Sequence, residues 1–209
     1  MKRWIPLCFA FWAGSTAGAA AEPLIFNTAS LTTSGVFVCL HEPACSSSGS
    51  TVTLGTGEDA ATLTFTGVNT PVPITNEALP VTLGTLAASS NSATFPTRTN
   101  PLLPIVRLNL TLSQSSPVAS TMTRWLFFGP GGDTELAYLM GPSYFQLNAG
   151  PVPEGYGSMV YSFTVPAIPM NGSADITANA GVVPEPATIL LVGVGLVGAV
   201  RGRLRRVSR

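Results

Sequence analysis

Residues 106–112 read Val-Arg-Leu-Asn-Leu-Thr-Leu, with an apolar side chain at every even position and a polar one at every odd position. A strand with one face on a core and one in water shows this two-residue period, whereas a helix needs apolar residues three and four apart. Residues 61–66 (Ala-Thr-Leu-Thr-Phe-Thr) alternate as cleanly, and in 159–165 Met159, Tyr161, Phe163 and Val165 share one side. No window between residues 22 and 183 sustains the helical spacing. Further strand candidates at 35–40, 51–54, 81–86, 122–128, 136–140, 144–147 and 174–178 bring the total to about ten, separated by Gly, Pro, Asn and Ser. That spacing predicts an all-β chain with one antiparallel β-sandwich or jelly-roll-like domain. Prolines at 71, 73, 80, 96, 101 and 104 mark residues 69–104 as the least regular part, long connections with an edge strand.

Charge is sparse and unevenly placed. Only 10% of the 209 residues are Asp, Glu, Lys or Arg, against about a quarter in ordinary soluble domains. The formal charge is zero, yet seven of the ten basic residues lie at the two ends, leaving Arg98, Arg107 and Arg124 between. Residues 22–183 hold nine acids and no lysine, so that body carries 3 − 9 = −6. It has almost nothing with which to neutralise phosphates, which excludes a nucleic-acid partner.

The N-terminus is built as an address. Lys2 and Arg3 precede a short apolar run, and small residues follow from Gly14 to Ala21. This three-part order is that of a secretory signal peptide over residues 1–21. Ala19 and Ala21 meet the small-x-small requirement of signal peptidase, with cleavage before Glu22 and a cut after Ala19 as the neighbouring option. A retained anchor is the other reading, but so short an apolar run spans a bilayer poorly.

At the other end, Pro184, Glu185 and Pro186 precede an apolar run over 187–200, and five arginines fall within 201–209. Fourteen residues give a helix of about 21 Å, short of a hydrocarbon core of about 30 Å. Arginine snorkelling and bilayer thinning can close that gap. Basic flanks stay cytoplasmic, which places the body on the far side of the inner membrane.

The tripeptide, the Gly-rich apolar helix and the terminal arginine cluster, in this order, resemble the PEP-CTERM sorting signal of exported bacterial proteins. The resemblance covers residues 183–209 and implies that Pro184, Glu185 and Pro186 are read by an exosortase. That enzyme removes the tail and passes the body outward, so the helix over 187–200 is a transient transmembrane stop. It also implies a setting of extracellular polysaccharide or biofilm matrix. It implies nothing about the fold or activity of residues 22–182.

Within the body, Cys39-Leu-His41-Glu42-Pro-Ala-Cys45 is the densest cluster of reactive groups. With Cys8 lost in the signal peptide, two cysteines remain in an oxidising compartment, and a Cys39–Cys45 disulfide is the first reading. A metal site using both thiols with His41 and Glu42, or a Cys–His dyad, is the sharper alternative. Acids on Gly-rich turns at 55–59 and 129–135 offer oxygen ligands for calcium, but both lack the density of a dedicated loop. No metal or cofactor is assigned. Aromatic residues gather in the second half of the body. Trp125, Tyr138, Tyr144 and Tyr156 are candidates for sugar stacking, with core packing as the competing explanation. On the strand through Trp125, either Trp125 and Phe127 or Leu126 and Phe128 face outward.

These observations lead to a non-enzymatic exported surface or matrix protein with a structural or adhesive role linked to exopolysaccharide. Its processing partners are signal peptidase and exosortase, with transient contact to the inner membrane. A carbohydrate-binding module is the alternative. A secreted hydrolase comes third, because no G-x-S-x-G nucleophile motif is present and the chain has one histidine.

Overall fold

The computed structural model describes residues 27–40, 44–91, 103–131, 134–152 and 155–184, the side chains of residues 59, 152, 155, 156 and 184 excepted. Two curled antiparallel sheets face each other as a sandwich. The first has six strands: β1 (Asn27–Cys39), β5 (Asn69–Ile74), β7 (Val106–Gln114), β8 (Ser120–Pro130), β9 (Glu135–Met140) and β12 (Ile168–Pro169), in the spatial order β12-β9-β8-β7-β1-β5. The second has seven: β2 (Cys45–Ser48), β3 (Thr51–Leu54), β4 (Ala61–Gly67), β6 (Leu79–Ser90), β10 (Tyr144–Val152), β11 (Gly155–Thr164) and β13 (Ser173–Pro184). Their order is β10-β11-β13-β6-β4-β3-β2.

The alternation of the sequence becomes the two faces of these strands. Val106, Leu108, Leu110 and Leu112 on β7 are fully buried, as are Met159 and Tyr161 on β11. Together with Leu126, Phe128, Phe145 and Leu147 they fill one core between the sheets. Phe65 of β4 reaches across to β1, where a Cβ at Gly35 would strike its ring and the Leu108 side chain. Glycine at that point is therefore a close-packing requirement.

One buried polar knot joins the sheets. Gln114 continues the inward parity of β7 and is 2% exposed. Its Nε2 donates to Asn148 O on β10 at 2.7 Å and to Val118 O at 3.3 Å, while its Oε1 accepts from the Tyr161 hydroxyl on β11 at 3.2 Å. Each polar group thus finds its partner, which is the condition for burying it without penalty.

The region expected to be irregular over 69–104 differs in part. Residues 69–74 form β5, an edge strand, and Pro71 and Pro73 are two apart, so both present their nitrogens to one side of it. Residues 79–90 form β6, a central strand flanked by β13 and β4. Pro80 is tolerated because it stands at the start of that strand, opposite Asn179. Residues 92–102 lie outside the described residues.

Candidate functional site

Two places carry functional interest, the C-terminal edge of the body and an aromatic groove on the first sheet. At the first, β13 is held between β11 and β6. Its ladder with β11 runs to the pairs Met159 with Val182, Ser158 with Val183 and Gly157 with Pro184. Val182 is buried to 7% exposure and its N–H donates to Thr75 O at 2.9 Å, while Val183 faces solvent. The fold therefore continues into the tripeptide with no spacer before it. Glu185, Pro186 and the apolar run over 187–200 lie outside the described residues, as do Ala19, Ala21 and Glu22. Among the described residues, no helix is long and apolar enough to cross a membrane.

A family model for the PEP-CTERM protein-sorting motif matches residues 182–206. The chain carries a PEP-CTERM sorting motif. Such a motif implies an exported protein that is held transiently in a membrane, processed by an exosortase and passed toward the cell surface. No curated protein and no solved structure matches the chain. The PEP-CTERM match covers the terminal segment, so the chemistry of the body has to be read from its own side chains.

Cys39 and Cys45 are joined in a disulfide with Cα atoms 5.8 Å apart. The link ties the end of β1 to the start of β2, and both residues pack against the core. With both sulfurs oxidised, neither a thiolate metal site nor a Cys–His dyad is available there. His41 and Glu42 lie outside the described residues. Among the turn acids, Glu58 is exposed in a short 3-10 turn and Asp133 lies outside the described residues. Among the described residues no group of three His, Cys, Asp or Glu side chains is placed to hold a metal.

The four aromatic candidates separate. Trp125 is 55% exposed on the outer face of β8, because Leu126 and Phe128 take the inward positions. Tyr144 is also exposed, but on β10, in the other sheet, where Phe145 points to the core. Tyr138 leans inward, edge-on to Phe128 at 6.0 Å between ring centroids, and its hydroxyl donates to Pro142 O at 3.3 Å. The side chain of Tyr156 lies outside the described ones. Among the described residues, Trp125 has a groove beside it. That groove, about 600 Å³, is lined by Thr123, Arg124, Trp125, Phe127, Gly141 and Pro142.

The groove exists because β8 is only half covered. β9 pairs with β8 from Phe127 onward, so among the described residues the stretch before it has β7 on one side and an open edge on the other. The chain then turns away at Gly141, φ +157°, where a Cβ would strike the Tyr138 hydroxyl and Trp125 O. Arg107 of β7 lies over the Trp125 ring, its guanidinium carbon 4.8 Å from the ring centroid, in a cation–π contact. Composition points to the aromatic residues as site candidates and shows these arginines only as part of the charge count. The available signal was that Arg124 adjoins Trp125 in a body with three arginines; Arg107 needed the β7–β8 register.

Proposed function

We propose that residues 22–182 are one extracytoplasmic domain with a non-enzymatic structural or adhesive role in an extracellular matrix linked to exopolysaccharide. Signal peptidase removes residues 1–21. The apolar run over 187–200 holds the chain in the inner membrane with the terminal arginines in the cytoplasm, until exosortase reads Pro184, Glu185 and Pro186. The observation that carries this reading is a sorting motif that begins inside the last strand of a folded body. An acidic, lysine-free, sandwich-like domain with an internal disulfide suits a secreted scaffold. Cell fractionation of hosts with and without the exosortase tests it. The body should reach the surface or medium only with the enzyme, and equal release from both hosts would overturn the reading.

The second reading is a carbohydrate-binding module, favoured by the exposure of Trp125 beside an open groove. Exposed aromatic rings present a flat apolar face to sugar rings. A purely structural domain should show no saturable affinity for any glycan, whereas a module should bind one and lose it on Trp125→Ala.

A further inference from the structure

The charge map of the body is lopsided around this groove. Residues 22–183 have three arginines against nine acids, and two of the three, Arg107 and Arg124, stand at Trp125. None of the described residues lining the groove is acidic. Among the described residues, no carboxylate pairs with either guanidinium, and the Nε of each is buried without an acceptor. Arginines on a negative surface ordinarily find a carboxylate neighbour, since leaving a partly buried cation unpaired is unfavourable. An anion from outside would supply that partner.

The shape of the site narrows what that anion is. Arg124 has the inward parity of Leu126 and Trp125 the outward one, yet both line the groove because, among the described residues, no strand pairs with this part of β8 on that side. A ligand at the open edge therefore meets a flat ring and a cation together. Next to the ring, the outer face of β7 and β8 is a strip of hydroxyls. Thr111 and Thr123 are 2.8 Å apart, and Thr121 donates to Ser113 at 3.2 Å. A ring platform, hydroxyl donors and acceptors, and two cations match a sugar that carries carboxylates. Duplex nucleic acid fits poorly, because it carries one charge per about 1.7 Å of its axis, far more than two arginines on an acidic surface can neutralise, and keeps its flat rings inside the base stack.

We propose that the groove at the open edge of β8 binds an acidic polysaccharide of uronate type, with Trp125 stacked on a sugar ring and Arg107 and Arg124 facing its carboxylates. The proposal rests on the carbohydrate reading above and adds the charge of the ligand. Arg107 holds one face of the indole through the cation–π contact, which orients the ring and keeps a positive charge beside it.

Calorimetric titration of the full chain in detergent tests this, with oligogalacturonate as probe and its methyl ester as the neutral counterpart. The acidic form should bind saturably, and the ester markedly less well. Trp125→Ala should weaken binding about tenfold. Arg107→Gln and Arg124→Gln should each weaken it about three- to fivefold, with the loss shrinking at high salt. Unchanged thermal midpoints in the three variants show that the fold is intact, and Trp125→Phe should restore part of the affinity. Equal binding of acid and ester, insensitive to both arginines, would overturn the charge inference and leave the carbohydrate reading standing. Binding of neither probe would overturn both. Equal binding to duplex DNA would reduce the site to charge alone and overturn the proposal.

Discussion

Pro184 is paired with Gly157 across the β13–β11 ladder, and it is the third residue of the sorting motif that begins at residue 182. Body and sorting signal therefore overlap at a strand end. A cut upstream of Val182 would remove a buried side chain and the bond from its N–H to Thr75 O. A chain ending at Gly181 should be less stable than one ending at Pro186 by about 2–4 kcal/mol, from one buried valine and the lost ladder bonds. Urea unfolding of the two truncated chains measures the difference, and equal midpoints would contradict it.

The Gln114–Tyr161 knot predicts both a stability loss and a pH dependence. Tyr161→Phe leaves Gln114 Oε1 as a buried acceptor without a donor and should cost about 1–3 kcal/mol near neutral pH. Burial pushes the Tyr161 hydroxyl well above its ordinary pKa of 10.0. In the unfolded chain that phenol loses its proton near pH 10, while the folded chain keeps it. The unfolded state then binds fewer protons, so stability is full below about pH 10 and falls as the pH rises beyond it. Unfolding free energies at pH 8 and 10.5 should show a smaller drop for Tyr161→Phe than for the parent.

Cys39 and Cys45 are six positions apart, so their disulfide closes a short loop. Loop-closure entropy for so few residues gives about 2 kcal/mol. The double variant Cys39→Ser with Cys45→Ser should lose about that amount and still fold. A drop above about 4 kcal/mol would mean that the link does more than restrict the unfolded chain.

Gly35→Ala places a methyl group against the Phe65 ring and the Leu108 side chain. Core overpacking of this kind should cost about 1–3 kcal/mol. Adding Phe65→Leu should recover part of the loss, and the double-variant cycle reports the coupling directly. Strict additivity would show that the two sites do not share space.

Ten strands were legible from the two-residue period, because β7, β8, β11 and the others bury one face and wet the other. The misses have physical reasons. β2 (Cys45–Ser48) carries three exposed serines and only Cys45 is partly buried, so it has no apolar alternation to read. The first half of β1 is rich in Thr and Ser, and β5 alternates with prolines that read as loop. The disulfide followed from cysteine count and compartment, and the sorting motif from the order of three terminal elements. The outward placement of Trp125 was one of two options until the core position of Leu126 decided it. Neither the arginine pair at the groove nor the Gln114 knot was legible, because both arise from cross-strand register and sheet packing that a linear pattern does not encode.

Removal of the C-terminal segment after export is tested most directly by the intact mass of the mature protein, recovered from a host that contains the exosortase. The product should lack residues 187–209 and retain β13 through Val183. A mature mass that still includes the five terminal arginines would contradict it.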